Sequence, residues 1–175
     1  MNKTRCLGFT LTELLITIAI VGIVTSMAVP SFSKMLERNR LKEVVEGLKS
    51  DLMWMHTETI KRSCNLQVTF TPATWNYTIF RTAGTCGCLA GGGSCTDITV
   101  NGSQFTGITM TSPVSLSDGT SALFDFRRGT VSVPNSGNAQ LNSSNYSVKV
   151  VVSTLGRVRI CNIAGSDGLN GYVDC

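Results

Sequence analysis

The order of hydrophobic and polar positions divides the chain into three stretches. In the first, residues 11–29 are apolar, small or hydroxyl-bearing, with the single exception of Glu13. A helix over this range is about 28 Å long, which is close to the roughly 30 Å thickness of a bilayer's hydrocarbon core. The first stretch is therefore predicted to span a membrane.

The second stretch follows Pro30 and is amphipathic. Its apolar residues recur at spacings of three and four, which is typical of a helix that buries one face. Together the two stretches predict a single helix over residues 9–62, whose second half packs on a globular head. The predicted buried face consists of Leu41, Val44, Val45, Leu48, Leu52 and Met55.

The third stretch, residues 63–175, has the composition of strands and turns. Valine, threonine, isoleucine and aromatic residues are separated by glycine, asparagine, serine and proline, as in a β-rich domain. The predicted fold class is therefore α+β, with one long helix packed on a β-sheet head. Strands are predicted at residues 67–71, 74–81, 98–100, 107–111, 122–127, 130–133, 146–153 and 157–162.

Two hairpins in this head can be given a register. In the first, a two-residue turn at residues 128–129 pairs Phe126 with Val131 and keeps the apolar side chains of both strands on one face. The same register leaves Arg127 and Arg128 at the tip of the hairpin, where their side chains are expected to be exposed.

In the second hairpin, a three-residue loop at residues 154–156 ends in a glycine, which suits the left-handed position of such a loop. This loop pairs Val151 with Arg159 and turns the valine-rich face toward the core. Lys149, Arg157 and Arg159 then share the outer face. A two-residue loop would instead place the arginines on the valine face, so the longer loop is favoured.

The seven cysteines point to an oxidising compartment. Six of them follow the apolar run, and an even number in that position is typical of disulfides outside the cytoplasm. Cys161 and Cys175 are expected to close the carboxy-terminal tail. Cys95 can pair with either Cys86 or Cys88. Cys64 would then pair with whichever of those two remains.

The net charge and the isolated polar residues do not by themselves indicate a nucleic-acid-binding, catalytic or cofactor-binding function. The formal net charge is +4, which is too small to imply nucleic-acid binding by itself. The single histidine, His56, has no nucleophile or second metal ligand near it in the sequence. The glycines at residues 91–93 lack the Lys-Ser/Thr step of a phosphate-binding loop. The chain is not expected to be an enzyme or to hold a cofactor or metal.

The residues around the apolar run decide what kind of membrane segment it is. Lys3 and Arg5 precede it, so the amino end should stay in the cytoplasm while the head crosses. A secretory signal peptide would place a small-residue cleavage site after the run, but Val29 leads into Pro30. An ordinary anchor leaves Glu13 unexplained, because a carboxylate at mid-span costs about 2.5–3.5 kcal/mol.

Residues 8–14, Gly-Phe-Thr-Leu-Thr-Glu-Leu, resemble the processing site of type IV prepilins and pseudopilins. The resemblance implies that prepilin peptidase cuts after Gly8 to remove a leader at residues 1–8, that Phe9 becomes N-methylated, and that Glu13 assists fibre assembly. It also implies a single-pass protein of the bacterial inner membrane with a periplasmic head. Its partners would be other pilins of a fibre that reaches the cell surface.

Two stretches of the head resemble one group within that family. Residues 124–129, FDFRRG, and residues 156–161, GRVRIC, are similar to recurring patterns of the pseudopilin H and FimT/FimU minor pilins. The second pattern is most like the FimT minor pilins of DNA uptake. The resemblance implies a head of two sandwiched sheets, and it implies that Arg157 and Arg159 bind DNA.

Two functions therefore compete. Arginines two residues apart on a strand project to the same side and can span neighbouring phosphates, and Lys149, Arg127 and Arg128 can extend their surface. Such a head would bind DNA without sequence preference during natural transformation. The alternative is a structural minor pilin or pseudopilin that initiates or tips a type IV pilus or a type II secretion pseudopilus without binding DNA.

Overall fold

A computed structural model describes residues 9–81, 87, 95–111, 121–131, 137–165 and 168–175. The chain divides into two compact units, one ending at Leu36 and the other comprising Glu37–Cys175. The sequence placed the start of the head at residue 63. The second unit starts earlier, inside the helix, because helical residues from Leu41 onward are part of the core of the head.

Helix α1 extends over Leu11–Arg62 and continues through Pro30. At its start, the hydroxyl of Thr10 accepts the backbone N–H of Glu13 at 3.3 Å, which is the arrangement of an N-cap. At its end, Ser63 has a φ of 53°, a left-handed conformation in which a helix commonly terminates. The single helix expected from the hydrophobic pattern is therefore present.

The part of α1 in the first unit has no buried side chain from Leu11 to Leu36. The helix contains a window with a mean hydropathy of 2.2, none of which is buried. By length and composition it can cross a membrane. A fully exposed apolar surface of this size needs a lipid or protein environment, because its exposure to water is unfavourable.

The second unit contains two antiparallel sheets. In chain order the strands are β1 Leu66–Thr71, β2 Asn76–Arg81, β3 Cys95–Asn101, β4 Thr109–Thr111, β5 Ser121–Asp125, β6 Thr130–Val131, β7 Gly137–Asn142, β8 Ser147–Val152 and β9 Val158–Asn162. The strands of the first sheet lie in the order β3-β2-β1-β5-β6, and those of the second lie in the order β4-β7-β8-β9.

One hydrophobic core joins α1 to both sheets. All six residues of the predicted helical face are buried. They form a single cluster with inward residues of the first sheet, such as Val68 and Phe124, and of the second, such as Leu141 and Val150. Alternation along the strands puts every second side chain into this cluster, so the amphipathic helix and the two sheets bury one another.

Among the described residues, three carboxylates of α1 also make polar contacts with the rest of the head. The Tyr77 hydroxyl donates to Asp51 Oδ2 at 2.7 Å, and the Tyr172 hydroxyl donates to Glu46 Oε1 at 2.5 Å. In both cases burial, and then the neighbouring carboxylate, raises the tyrosine pKa. The third contact joins the carboxylate of Glu37 to the loop between β7 and β8.

That third contact should make stability depend on pH. The Glu37 carboxylate accepts both the backbone and the side-chain N–H of Asn145, at 2.8 and 2.7 Å. Burial alone would raise the pKa of Glu37, but hydrogen bonds from Ser143, Ser144 and Asn145 outweigh it and lower the pKa. The lowered value means that the ionised contact stabilises the fold above the ordinary carboxyl pKa and is lost on acidification.

We therefore expect Glu37→Gln to destabilise the head at pH 7 by about 1 kcal/mol, a value typical of a partly exposed charged hydrogen bond. The difference should vanish as the pH falls through the lowered pKa of Glu37. Urea unfolding of both proteins at neutral and acidic pH measures it. A difference that stays constant with pH would contradict the assigned contact.

The carboxy-terminal tail is attached to the end of β9. The Asn162 side chain donates to the carbonyl groups of Leu169 and Tyr172 and accepts the N–H of Leu169. A disulfide joins Cys161 to Cys175, with an S–S distance of 2.05 Å, and this is the pairing that the sequence suggested for the tail. The tail therefore covers one end of the β9 edge.

The register predicted for the first hairpin is wrong. Phe124, not Phe126, lies opposite Val131, and the turn has four residues, 126–129. The reason is a tertiary contact: the side chain of Asn65 accepts the backbone N–H of Phe126 at 3.1 Å. This contact draws Phe126 out of the strand, so the strands separate two residues earlier than the local pattern suggested.

Strand β7, Gly137–Asn142, was missed by the sequence reasoning, and β2 begins later than predicted. Glycine, asparagine and glutamine have low strand propensity, yet β7 forms because it is paired on both sides, by β4 and β8. The residues that precede β2 instead form a 3-10 turn at Pro72–Thr74. Trp75 then adopts a left-handed φ of 50°.

Candidate functional site

The amino-terminal motif lies partly outside the described residues, since Gly8 belongs to the undescribed segment. Phe9 is 82% exposed, and Glu13 is exposed in the first turn of α1. The position of Glu13 near the helix N-terminus is electrostatically favourable for a carboxylate. Its carboxylate is nevertheless open to a contact from another molecule.

The hairpin of β8 and β9 has the predicted register. Val151 pairs with Arg159, and the N–H of Ser153 donates to the carbonyl of Arg157 at 2.9 Å. Gly156 closes the three-residue loop with a φ of 75°, a conformation that glycine adopts without strain. Arg157 and Arg159 are both exposed, so the hairpin presents two guanidinium groups on its outer side.

Lys149 belongs to the same outer face. It pairs with Cys161 across the hairpin, and Cys161 lies two residues beyond Arg159 on the same face of β9. Its side chain is only partly exposed, in contrast to the two arginines. The expected grouping of these three cations on one face is therefore present.

The turn between β5 and β6 carries the other two arginines. Its shape is fixed by Asp125, whose carboxylate accepts the N–H of Arg127 at 2.9 Å and whose carbonyl accepts the N–H of Gly129 at 2.9 Å. Arg127 and Arg128 are exposed. The guanidinium of Arg127 lies 5.5 Å from the centre of the Phe126 ring, which leaves it accessible from the solvent side.

The two arginine-bearing turns meet, although they belong to different sheets. The N–H of Val131, just after the first turn, donates to the carbonyl of Thr154 in the second turn at 3.0 Å. The side chain of His56 contacts both turns: its Nε2 lies 3.0 Å from the Gly129 carbonyl, and its ring lies against Gly156. Tertiary structure thus joins the two sequence motifs.

Most basic residues of the head are not held in ion pairs among the described residues, although the Asp125 carboxylate lies within the first turn. From residue 64 onward the sequence has six basic residues, of which Arg81 is paired with Asp97 at 3.0 Å. Within the part of the chain that the structure describes, the other five form no ion pair. We call these five residues the arginine surface: Arg127, Arg128, Lys149, Arg157 and Arg159.

A groove of about 350 Å³ lies beside this surface, between α1 and the edge of β9. Its helix side is formed by Met53, His56 and Thr57, and its other side by residues 155–159. Leu155 at the tip is 66% exposed. The groove gives an extended ligand a recess next to the cations.

His56 is the residue of this site that sequence reasoning missed. It was interpreted as a structural or surface histidine because no chemical partner lies near it in the sequence. Its partner Gly129 is 73 positions away, and no local pattern signals that contact. Only the packing of the helix against both hairpins reveals it.

The cysteines expected to form disulfides are only partly described. Cys64 and Cys95 are each disulfide-bonded, in agreement with an oxidising compartment. Cys86 and Cys88, their expected partners, lie outside the described residues, so the choice between the two pairings stays a prediction. In the described ranges, no group of three or more His, Cys, Asp or Glu side chains is placed to hold a metal ion.

Comparison with known proteins adds a motif and a fold. Residues 3–29 match the family model of the prokaryotic N-terminal methylation motif. This region includes Gly8, Phe9 and Glu13, the residues singled out from the sequence. No curated protein matches the chain.

Two solved structures share the fold at low sequence identity. The type IV minor pilin FimU of Pseudomonas aeruginosa is 14% identical, with a TM-score of 0.53 over 71% of this chain and 90% of that one. The minor pseudopilin EpsH of the Vibrio cholerae type 2 secretion system is 12% identical, with a TM-score of 0.53 over 70% and 97%. The chain thus combines a prokaryotic N-terminal methylation motif with the type IV pilin fold of FimU and EpsH.

Proposed function

We propose that this chain is a minor subunit of a type IV pilus or of a type II secretion pseudopilus. The observation that carries the proposal is the methylation motif at residues 3–29, located on an exposed apolar helix that continues into a head of the pilin fold. The subunit is held in the inner membrane by residues 11–29 with its head in the periplasm, and is then transferred into a fibre.

Processing at Gly8 leaves the apolar helix attached to the head. Prepilin peptidase cuts before the helix, and the new amino terminus at Phe9 becomes methylated. Glu13 then receives the positive amine of a neighbouring subunit's Phe9 inside the fibre. Such pairing makes a carboxylate tolerable in an apolar environment, and the exposure of both residues supports it.

Mass spectrometry of the membrane-inserted protein tests this role. In cells with prepilin peptidase, the mature chain should begin at N-methylated Phe9, and without the peptidase it should retain its leader. Gly8→Val should block cleavage, because a branched side chain replaces the smallest residue at the cut bond, whereas Gly22→Ala should be processed normally. Cleavage at another bond, or none in the wild-type protein, would refute the proposal.

A second function, DNA binding, is favoured by the arginine surface. Five of the six basic residues after residue 63 lie on two hairpins whose turns touch, and these five lack ion pairs in the described ranges. Clustered cations attract the phosphate backbone, and such binding is independent of sequence and weakens steeply with salt. The head would then capture DNA during natural transformation.

Binding of labelled duplexes to a soluble head fragment starting at residue 33 tests this second function. Two duplexes of unrelated sequence should bind with similar affinity at 50 mM salt. Absence of binding at that ionic strength would refute DNA binding. The structural role in the fibre would then remain as the function of the chain, since it depends on Glu13 and α1 rather than on the arginines.

A further inference from the structure

The side chain of His56 contacts both glycines that close the arginine-bearing turns. Its Nε2 donates to the Gly129 carbonyl at 3.0 Å, because a carbonyl oxygen can only accept. A methyl group placed on Gly156 would lie 2.8 Å from the same Nε2 atom. The backbone of the second turn is therefore packed directly on the imidazole ring.

The imidazole ring of His56 also packs against the core of the head. It lies 5.7 Å from the ring of Phe124, at an interplanar angle of 52°, and Phe124 is completely buried. Ile60, one helical turn further along α1, approaches the Cβ position of Gly129 at 4.0 Å. His56 is thus a partly buried group with a fixed orientation, set by α1 and by the core.

This position matters because the two turns belong to different sheets. Strands β5 and β6 are part of the five-stranded sheet, and β8 and β9 are part of the four-stranded sheet. The hydrogen bond from Val131 to Thr154 joins the turns directly, and His56 joins both of them to the helix. Charges that must match phosphates along a stiff duplex bind best when their spacing is set beforehand.

We propose that His56 is a positioning residue that couples the two hairpins, so that the arginine surface meets duplex DNA as one unit. The inference rests on the proposed DNA binding of the same surface. His56 acts through Gly129 and Gly156 rather than through contact with DNA. Without it, each hairpin would keep its own cations, but the distance between the two sets would no longer be fixed.

The salt dependence of duplex binding distinguishes positioning from a purely structural role. We expect His56→Ala to bind the duplex several-fold more weakly at 50 mM salt. The slope of log K against log salt should shrink by up to about 1.8, the loss of two phosphate contacts. His56→Gln, whose side-chain amide can donate to Gly129, should recover part of the lost affinity and part of the lost slope. An unchanged slope in a folded His56→Ala head would overturn the proposal.

Tyr77→Phe is the matched control for lost stability. Tyr77 lies in β2, outside the two turns, and the substitution removes its hydrogen bond to Asp51. This variant should lower Tm while leaving the slope of log K against log salt unchanged. A slope that falls equally in this control would overturn the proposal. Should His56→Ala fail to fold, His56→Phe keeps a ring against Phe124 without the donor, and the same slope change is expected for it.

Amide hydrogen exchange tests the coupling without DNA. Exchange at the Val131 N–H, which donates to Thr154, should be faster in His56→Ala than in the wild-type head. Exchange at Val131 that is unchanged by the substitution would overturn the coupling, even if DNA binds. Faster exchange in a head that binds no DNA would instead overturn the DNA-binding function and reduce His56 to a structural contact.

Discussion

Replacing Arg157 and Arg159 together with alanine should remove most of the DNA affinity of the head while leaving its fold intact. Both side chains are exposed on the outer side of the β8–β9 hairpin and form no ion pair in the described ranges. Surface substitutions of this kind usually change the free energy of unfolding by less than about 0.5 kcal/mol. The thermal transition of the double variant should therefore match that of the wild type.

The size of the effect follows from counterion release. Each phosphate contact contributes about 0.9 to the slope of log K against log salt on duplex DNA. If all five cations make contact, raising the salt from 50 to 200 mM weakens binding about 500-fold; with three it weakens about 40-fold. A salt titration of the wild-type head and of the double variant measures this fold-loss of affinity for each. The difference between their slopes gives the number of phosphate contacts that the substitutions remove.

Arg38→Ala plus Arg40→Ala is the matched control for this prediction. It removes the same formal charge from the same fragment, but from α1 near the start of the second unit. Neither arginine forms an ion pair among the described residues. If this control weakened binding as much as the hairpin variant, binding would depend on net charge, and the assignment to the arginine surface would be wrong.

Replacing Gly102 with alanine should destabilise the head by about 3 kcal/mol or more, comparable to losing a large core side chain. A Cβ at this position would lie 1.8 Å from Cε3 of Trp75 and 2.1 Å from its carbonyl oxygen. That carbonyl accepts the N–H of Gly102 at 2.7 Å. Neither the backbone nor the buried indole, which also packs on Phe105, can move away freely.

Urea unfolding of the soluble head measures this loss, with Gly47→Ala as the control. Gly47 is exposed within α1 and a Cβ there meets nothing within 4 Å. Alanine favours a helix over glycine by about 0.5–1 kcal/mol, so this variant should be slightly more stable than the wild type. A Gly102→Ala head with wild-type stability would show that the contact with Trp75 is not as close as described.

The sequence by itself determined the features that depend on near neighbours. The length and continuity of the apolar run identify the membrane-compatible part of α1, and the three- and four-residue spacing identifies its buried face. The methylation motif is a contiguous stretch and needs no tertiary contact to be recognised. The second hairpin was also predicted correctly, because a glycine-terminated loop and alternating valines fix its register locally.

Tertiary structure decided the features that depend on distant residues. Asn65, which directly precedes the neighbouring strand β1, accepts the N–H of Phe126 and thereby overrides the local turn preference of the first hairpin. Strand β7 exists because its two neighbours supply the hydrogen bonds that its own composition does not favour. In each case a contact between residues far apart in the chain outweighs a weak local tendency.

The candidate site shows the same division. The sequence identified the cations of both hairpins, since their alternation and turn residues are local. It could not place the two hairpins side by side, because they belong to different sheets, nor place His56 between them. Those positions follow from the packing of one helix against both sheets, and the burial of a shared core, rather than any short pattern, fixes that arrangement.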